Sequence, residues 1–508
     1  MQLRPSRNAG GRFFAFVEKA GNALPHPAAL FGIFGVITLV LSAIGSYFHW
    51  HGIHPATGEQ VEIVNLLSRD GIHRILLEMV DSYTGFAPLG IVMVAMLGIG
   101  IAESSGLIRA AINALLIKAP AKLITFMVVF TGILSNMASD IGYLLIIPLG
   151  GVIFHALGRH PIAGISAAFA GVSGGFSANI FIGTIDPLLA GLSTEAAHII
   201  DPDYYVMPTA NYYFMAVSTI VITVTATWVS RAWIEPRLGT YKGDVPREEV
   251  GQLAPAEKKG LIRALVVFLV WSAIFLIGLI PDNGFFRGDD NTILHTPLLR
   301  GFIAVLFLVA GTCGIVYGYT VGTFKKHGDV ITGMNSSFKG LTSFLVLVFF
   351  AAQFVAWFRW SNLGLLLAVN GASWLQSINI GLIPLVILFI LFSGFINMFM
   401  GSASAKWAIM GPVFIPIFML LGYSPELSQA VYRIGDSVTN IISPMMSFFA
   451  LIIVYYQKYD PKAGVGTLMA SMMPYSIAFF IVWTLMMIVW ILFGIPLGPE
   501  APLYYTPD

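Results

Sequence analysis

The chain has little charge and almost no cysteine. Only 10% of its 508 residues are Asp, Glu, Lys or Arg, and 27 basic against 26 acidic groups leave a net charge of +1. Such a balance offers no electrostatic footprint for nucleic acid, and the basic residues cluster on no single face. The one cysteine, Cys313, excludes an internal disulfide and a thiolate metal cage. It lies in an apolar run, where a packed thiol is expected. There is no Gly-rich phosphate loop to hold ATP. Also missing is a polar stretch long enough to fold alone, since the longest, near 51–85 and 234–260, cannot bury a separate core. One domain over residues 1–508 is therefore expected. What the chain does have is 57% hydrophobic residues and a mean hydropathy of +0.81, the composition of an all-α polytopic membrane protein.

Arg4, Arg7, Arg12 and Lys19 precede an apolar run that is too long for a signal sequence and lacks a cleavage site, so it reads as a retained first helix. Runs long enough to cross a bilayer lie near 29–50, 86–104, 209–233, 262–281, 301–321, 341–358 and 467–495. Two more, 162–187 and 427–457, contain Gly174-Gly175 with Pro187 and Ser443-Pro444, and read as broken helices. Segments 121–158 and 380–421 each hold two shorter apolar arms around a polar centre, SNMASD and MGSASAKW, and read as re-entrant hairpins. The expectation is nine transmembrane helices plus two hairpins.

Charge supports this count. With the N-terminus cytoplasmic, Arg69, Arg74, Arg287, Arg300 and Arg359 fall outside, and Lys406 and Arg433 fall within the membrane. The other 20 of the 27 basic residues are then cytoplasmic, the bias of the positive-inside rule. The C-terminus ends outside.

Internal repetition points the same way. Pro148, Pro161 and Gly171 recur 264 positions later as Pro412, Pro425 and Gly435, while Asn136 meets Asn397 at a shift of 261. The halves 29–233 and 262–495, joined by a cytoplasmic linker 234–260, form an inverted-topology repeat, because their hairpins open from opposite sides.

The polar breaks carry the chemistry, since carboxylates and irregular backbone at membrane depth are tolerated only when shielded. Arg433, Asp436, Asn440 and Pro444 are spaced to share one helical face. Pro444 lacks an amide proton, so Asn440 would offer a backbone oxygen beside its side chain. With Asp436, and with Asn397 or Ser402 from the hairpin tip, this makes an oxygen-rich cluster suited to Na⁺; Asp436 could instead carry a proton. Asn136 is a weaker candidate ligand. Arg433 and Asp436 could also be a structural pair holding two helices together. Lys406 or Arg433 could receive a solute's carboxylate or sulfonyl group. Trp407 is either a packed aromatic or a wall for a flat ring. In the first half Ser135, Asn136, Asp140 and Asn179 supply polar atoms, and Asp186 before Pro187 ends the broken helix, as a site acid or as a cap.

GVSGG at 171–175 matches the hydrolase pattern G-x-S-x-G and makes Ser173 a formal nucleophile. Its setting in a membrane helix fails the strand-to-helix test, and only His155 among the histidines lies near a hairpin arm. The chain is read as no enzyme, with an intramembrane serine protease the remote alternative.

LSNMASDIGYLLIIPLGG, GVSGGFSANIFIGTIDPLLAG, GSASAKWAIMGPVFIPI and YRIGDSVTNIISPMM resemble the AbgT family of bacterial aminobenzoyl-glutamate transporters. The resemblance covers nearly the whole length. It implies an inner-membrane homodimer, each subunit divided into scaffold and transport core, with Asp186, Asn397, Ser404, Trp407, Arg433, Asp436, Asn440 and Pro444 at the site. It further implies H⁺- or Na⁺-coupled export of sulfonamide antimetabolites and folate-related catabolites, or alternatively uptake of p-aminobenzoyl-glutamate. No cofactor is expected beyond a bound Na⁺.

Overall fold

The structure, a computed structural model, describes residues 25–53, 60–117, 120–137, 142–246, 253–288 and 296–506. Almost all regular structure there is helical; a two-stranded hairpin pairs His51–Ile53 with Gln60–Glu62. Eight helices among the described residues are long and apolar enough to cross a membrane. Seven correspond to the apolar runs of the sequence. The eighth, Ala403–Leu420, is the second arm of the second hairpin, longer than the sequence pattern suggested.

Helices divide by what they bury. Pro255–Leu279 has 11% of its apolar window buried and presents Ile262, Leu265, Val266, Leu269 and Ile277 outward, a surface that only hydrocarbon or a partner can cover. It packs with Phe302–Val321, which also packs on Ala87–Ser104; that helix, Pro27–Tyr47 and the long helix His327–Trp360 complete one group. A second group contains the hairpin arms, the broken helices, Tyr212–Val229 and Val465–Leu492. Ala403–Leu420, with 67% of its window buried, packs on Ile185–Ala197, Leu363–Ser377 and Pro425–Asn440, and the two groups meet where Ala87–Ser104 packs on Ile185–Ala197.

Each segment read as a hairpin has two helical arms. Ile124–Leu134 leads through Ser135–Met137 toward the returning arm, Gly142–Ala156; in the second half Leu382–Asn397 turns at 398–402 into Ala403–Leu420. The polar centre SNMASD is described only as far as Met137, so Asp140 lies outside the described residues.

Both long segments break where Gly174-Gly175 and Ser443-Pro444 lie, but the residues flanking the breaks are placed differently from expectation. Pro161–Phe169 widens into a π-type turn over Ala170–Gly174, the chain runs without helix from 176 to 184, and helix resumes at Ile185. Asp186 and Pro187 therefore begin the second segment and do not end the first. Proline is accommodated in a first turn because its missing N–H has no intrahelical acceptor there. In the second half Pro425–Asn440 stops at Asn440 and resumes at Phe449. Pro444 thus lies in the turn, off the face occupied by Arg433, Asp436 and Asn440. The four-residue face read from spacing is three residues long.

Two close approaches tie the halves together as copies. A Cβ on Gly171 would lie 2.4 Å from the Val129 carbonyl oxygen, and one on Gly435 would lie 2.4 Å from that of Ile390. The same crossing of an incoming arm over a broken helix thus occurs twice, and only glycine fits. Elements that the hydropathy pattern missed are Leu107–Ile117, Arg69–Thr84 within the stretch read as aqueous, and Leu363–Ser377. The first two put polar or charged residues along one side, and all three are too short to appear as crossings.

Candidate functional site

The site is built where the second hairpin tip meets the second break. Asn397 is the last residue of its arm and is fully buried. Its Nδ2 donates to the Asp436 carbonyl oxygen at 2.8 Å, to Thr439 Oγ1 at 2.9 Å and to Asn440 Oδ1 at 2.8 Å. One amide thus stitches the tip to the last turn of Pro425–Asn440, where carbonyls lack helical donors. Its Oδ1 accepts from Lys406 Nζ, which also donates to Asp436 Oδ1. Asn440 Nδ2 reaches Asp436 Oδ2 at 3.3 Å.

The Arg433–Asp436 pair considered as an alternative does not form. Asp436 pairs with Lys406, and Arg433 Nη2 donates to Asp186 Oδ1 at 2.6 Å. Residues three apart on a helix sit on one face, but each side chain here leans toward a different neighbouring element. Both pairs are almost fully buried, with side-chain exposures of 0% and 1% for Lys406 and Asp436, and 4% and 2% for Arg433 and Asp186. Charges in such a setting are held only when paired, and removing one partner strands the other. Asp186 has a second contact: its Oδ2 accepts from the Gly183 N–H at 2.7 Å, bracing the chain just before the segment.

Trp407 is buried and stacked on Tyr432, ring centroids 4.5 Å apart at 26°. Its indole Nε1 donates to Ser193 Oγ at 2.9 Å. In this conformation the ring's partner is internal. Ser193 in turn donates to Gln429 Oε1 at 2.6 Å, Gln429 Nε2 to Asn211 Oδ1 at 2.9 Å, and Asn211 Nδ2 to the Glu426 carbonyl at 3.0 Å. Tyr204 closes the chain with a 2.9 Å hydrogen bond to Glu426 Oε2. Burial, and then the Glu426 carboxylate, push the Tyr204 hydroxyl far above its ordinary range, so it keeps its proton and donates. Glu426, Gln429 and Ser193 were not singled out in the sequence. The signal was there: Glu426, Gln429, Arg433, Asp436 and Asn440 form one polar stripe along the whole helix.

The structure does not bring every expected residue together. Ser404 and Ser402 lie at the start of their helix, with oxygens 3.5 Å apart, and neither bonds to the Asp436 cluster; Ser402 caps the helix through the Ala405 N–H. Asn136 donates to the Ile133 and Val172 carbonyls at 3.2 and 3.0 Å, a packing role matching that of Asn397. Asn179 bonds Ile133 and Phe181 backbone, and Ser135 the Gly132 carbonyl. Ser173 is buried with no hydrogen-bond partner among the described residues, and His155 is engaged by the Tyr241 and Tyr459 rings. Cys313 is packed, as expected, with Sγ near the Ala264 carbonyl.

The Na⁺ reading of Asn397, Asp436 and Asn440 fits the atoms poorly. Asn397 turns its amide N–H groups toward Asn440 Oδ1 and the Asp436 carbonyl, and an ammonium already lies against Asp436 Oδ1 and Asn397 Oδ1. No group of three or more His, Cys, Asp or Glu able to hold a metal ion occurs among the described residues. A crevice too narrow to admit a water molecule lies beside the site, lined by Ser177, Asn211, Phe214, Arg433, Ile434 and Trp483 among others. Arg433 Nε finds no hydrogen-bond partner among the described residues.

Apolar helices in number, paired helix breaks and buried charges at one of them define a polytopic membrane transporter. Residues 12–505 match the profile of the AbgT putative transporter family, and the chain belongs to that family. It is 38% identical over 500 residues to the p-aminobenzoyl-glutamate transport protein of Escherichia coli (strain K12), covering 98% of each. Its fold is similar to the YdaH transporter of Alcanivorax borkumensis, with a TM-score of 0.89, 44% identity and coverage of 94% of this chain and 100% of that one. MtrF of Neisseria gonorrhoeae, described as illuminating a class of antimetabolite efflux pumps, gives a TM-score of 0.92 at 49% identity, covering 97% and 100%.

Proposed function

We propose that this chain is an ion-coupled exporter of p-aminobenzoate-like aromatic compounds, sulfonamide antimetabolites and folate-related catabolites among them. The observation that carries this reading is that one helix, Pro425–Asn440, holds two buried ion pairs to two different elements, the second hairpin and the segment that starts at Ile185. A solute or ion that competes for either pair changes which elements are held together, which is what alternating access requires. Arg433, with its unpartnered Nε and its place on the wall of the narrow crevice, is the group to receive a carboxylate or sulfonyl oxygen. Trp407, once it leaves Tyr432, is the surface for the ring. The crevice beside Arg433 has no room for a water molecule, so the site must open before an aminobenzoyl compound enters.

Export is favoured over uptake because the likeness to MtrF, at 49% identity, is greater than that to the Escherichia coli p-aminobenzoyl-glutamate transport protein, at 38%. Uptake of p-aminobenzoyl-glutamate is the second reading, and rests on the name of that relative. The driving force is an H⁺ or Na⁺ gradient: one charge moving through 100 mV supplies ~2.3 kcal/mol, enough for roughly a fifty-fold solute gradient. The distribution of Lys and Arg supports a cytoplasmic N-terminus, an external C-terminus and hairpins that open from opposite sides. Family resemblance supports a homodimer in the bacterial inner membrane, with a scaffold and a transport core in each subunit.

The test is flux in proteoliposomes of defined orientation, loaded with labelled sulfonamide or p-aminobenzoyl-glutamate, under imposed pH or Na⁺ gradients. Gradient-driven sulfonamide movement in the outward sense is expected. Movement of neither compound would sink the reading, and inward movement of p-aminobenzoyl-glutamate alone would replace export by uptake.

A further inference from the structure

The geometry points to Lys406 as a tethered cation that takes the position a Na⁺ ion would need, so that the oxygen cluster of Asn397, Asp436 and Asn440 selects against Na⁺ in this chain. The inference rests on the transport reading of this site and refines it. Lys406 Nζ donates to Asn397 Oδ1 and Asp436 Oδ1, the two side-chain oxygens that face away from the Asn397 amide. The Asp436 carbonyl and Asn440 Oδ1 accept N–H groups of Asn397 at 2.8 Å each, and Asp436 Oδ2 accepts from Asn440 Nδ2 at 3.3 Å. A metal ion entering here would have to displace the ammonium and turn the Asn397 amide. It would also place a second positive charge against one carboxylate in a site that water does not reach.

The first repeat shows that the crossing itself does not need this cation. At the shift of 264 that aligns Pro148 with Pro412, Lys406 corresponds to Gly142 and Asp436 to Val172. These two are also in contact: a Cβ on Gly142 would lie 2.7 Å from Val172 Cγ1. The first copy closes the place with glycine against valine, the second with ammonium against carboxylate. Lysine is suited to the part, being a compact charge on a flexible stem with three donors.

The experiment compares thermal unfolding of the purified full chain in NaCl and in choline chloride at equal ionic strength. The wild type is expected to melt at the same temperature in both salts. Lys406→Ala, which opens the position and leaves Asp436 without a cation, is expected to melt higher in NaCl, with a shift that saturates as Na⁺ fills the cluster. Lys406→Ala/Asp436→Asn is expected to lose that shift. Lys406→Met serves as a second single variant, and recovery of either one only from Na⁺-containing buffer counts in favour. A Na⁺-dependent shift in the wild type that Asp436→Asn abolishes, or no Na⁺ response in either lysine variant, overturns the inference. Because binding and not flux is read, failure here leaves the transport proposal to its own test.

Discussion

The two repeats use one backbone device with opposite chemistry. In each, a glycine of the broken helix lies under a carbonyl of the incoming arm, Gly171 under Val129 and Gly435 under Ile390. In each, the asparagine closing that arm donates to the next carbonyl of the broken helix, Asn136 to Val172 and Asn397 to Asp436. What stands around the joint differs. The first is lined by Val172 and Gly142, the second by Asp436 and Lys406, with Arg433 one turn away reaching Asp186. Since the first copy makes the same crossing with Gly142 and Val172 at the matching positions, the Lys406–Asp436 pair is not required for the crossing itself. It costs desolvation that a glycine and a valine avoid, which accords with the proposed transport role.

The largest effects should come from breaking what the repeats share. Gly171→Val and Gly435→Val each drive a side chain into backbone, with an expected loss of about 3 kcal/mol or more. Both variants should be recovered poorly as monodisperse protein. If only one were affected, the crossings would not be equivalent.

Next comes the ion pair that the second half makes with the first. Arg433→Ala strands Asp186 in a buried site and should cost about 3–5 kcal/mol. Replacing both partners, Arg433→Met with Asp186→Leu, should restore most of the thermal midpoint while proteoliposome flux stays absent. Wild-type flux in the double variant would make the pair purely structural.

Smaller and more discriminating is the asparagine comparison. Asn136→Leu gives up two hydrogen bonds to carbonyls, at about 1 kcal/mol each, and should leave flux per folded molecule near wild type. Asn397→Leu removes three donated bonds and the oxygen that faces Lys406, and should abolish flux. Equal effects on transport would erase the functional asymmetry of the halves. The smallest change is Trp407→Phe, which keeps a ring against Tyr432 and loses the bond to Ser193, about 1 kcal/mol. The expected signature is a raised KM for the aromatic solute with little change in maximal flux.

Much of this was legible in the linear sequence. Apolar runs located the long helices, because a bilayer demands about 20 apolar residues in succession. Proline and glycine marked both breaks and the duplication. Asn397, Asp436 and Asn440 were identified by polarity alone and do converge. Ser404 and Pro444 do not join them, for reasons of local backbone: a helix start in one case and a helix end four residues early in the other. Leu107–Ile117 and Leu363–Ser377 escaped notice because helices of this length leave no hydropathy plateau. The buried chain from Trp407 to Tyr204 escaped because its members come from four separate stretches, and no single window contains them.

The sequence by itself determined the class of molecule, the places where helices fail and the type of charge available at each. These are properties of composition and spacing, and short-range sterics and the apolar solvent enforce them wherever the chain goes. Only the tertiary structure decided the partners. Arg433 meets an aspartate 247 positions away, and Asp436 a lysine 30 positions away, in place of one another. A helical spacing of three puts two side chains on one face, but which of them bonds depends on the elements packed against that face, and those arrive from other parts of the chain.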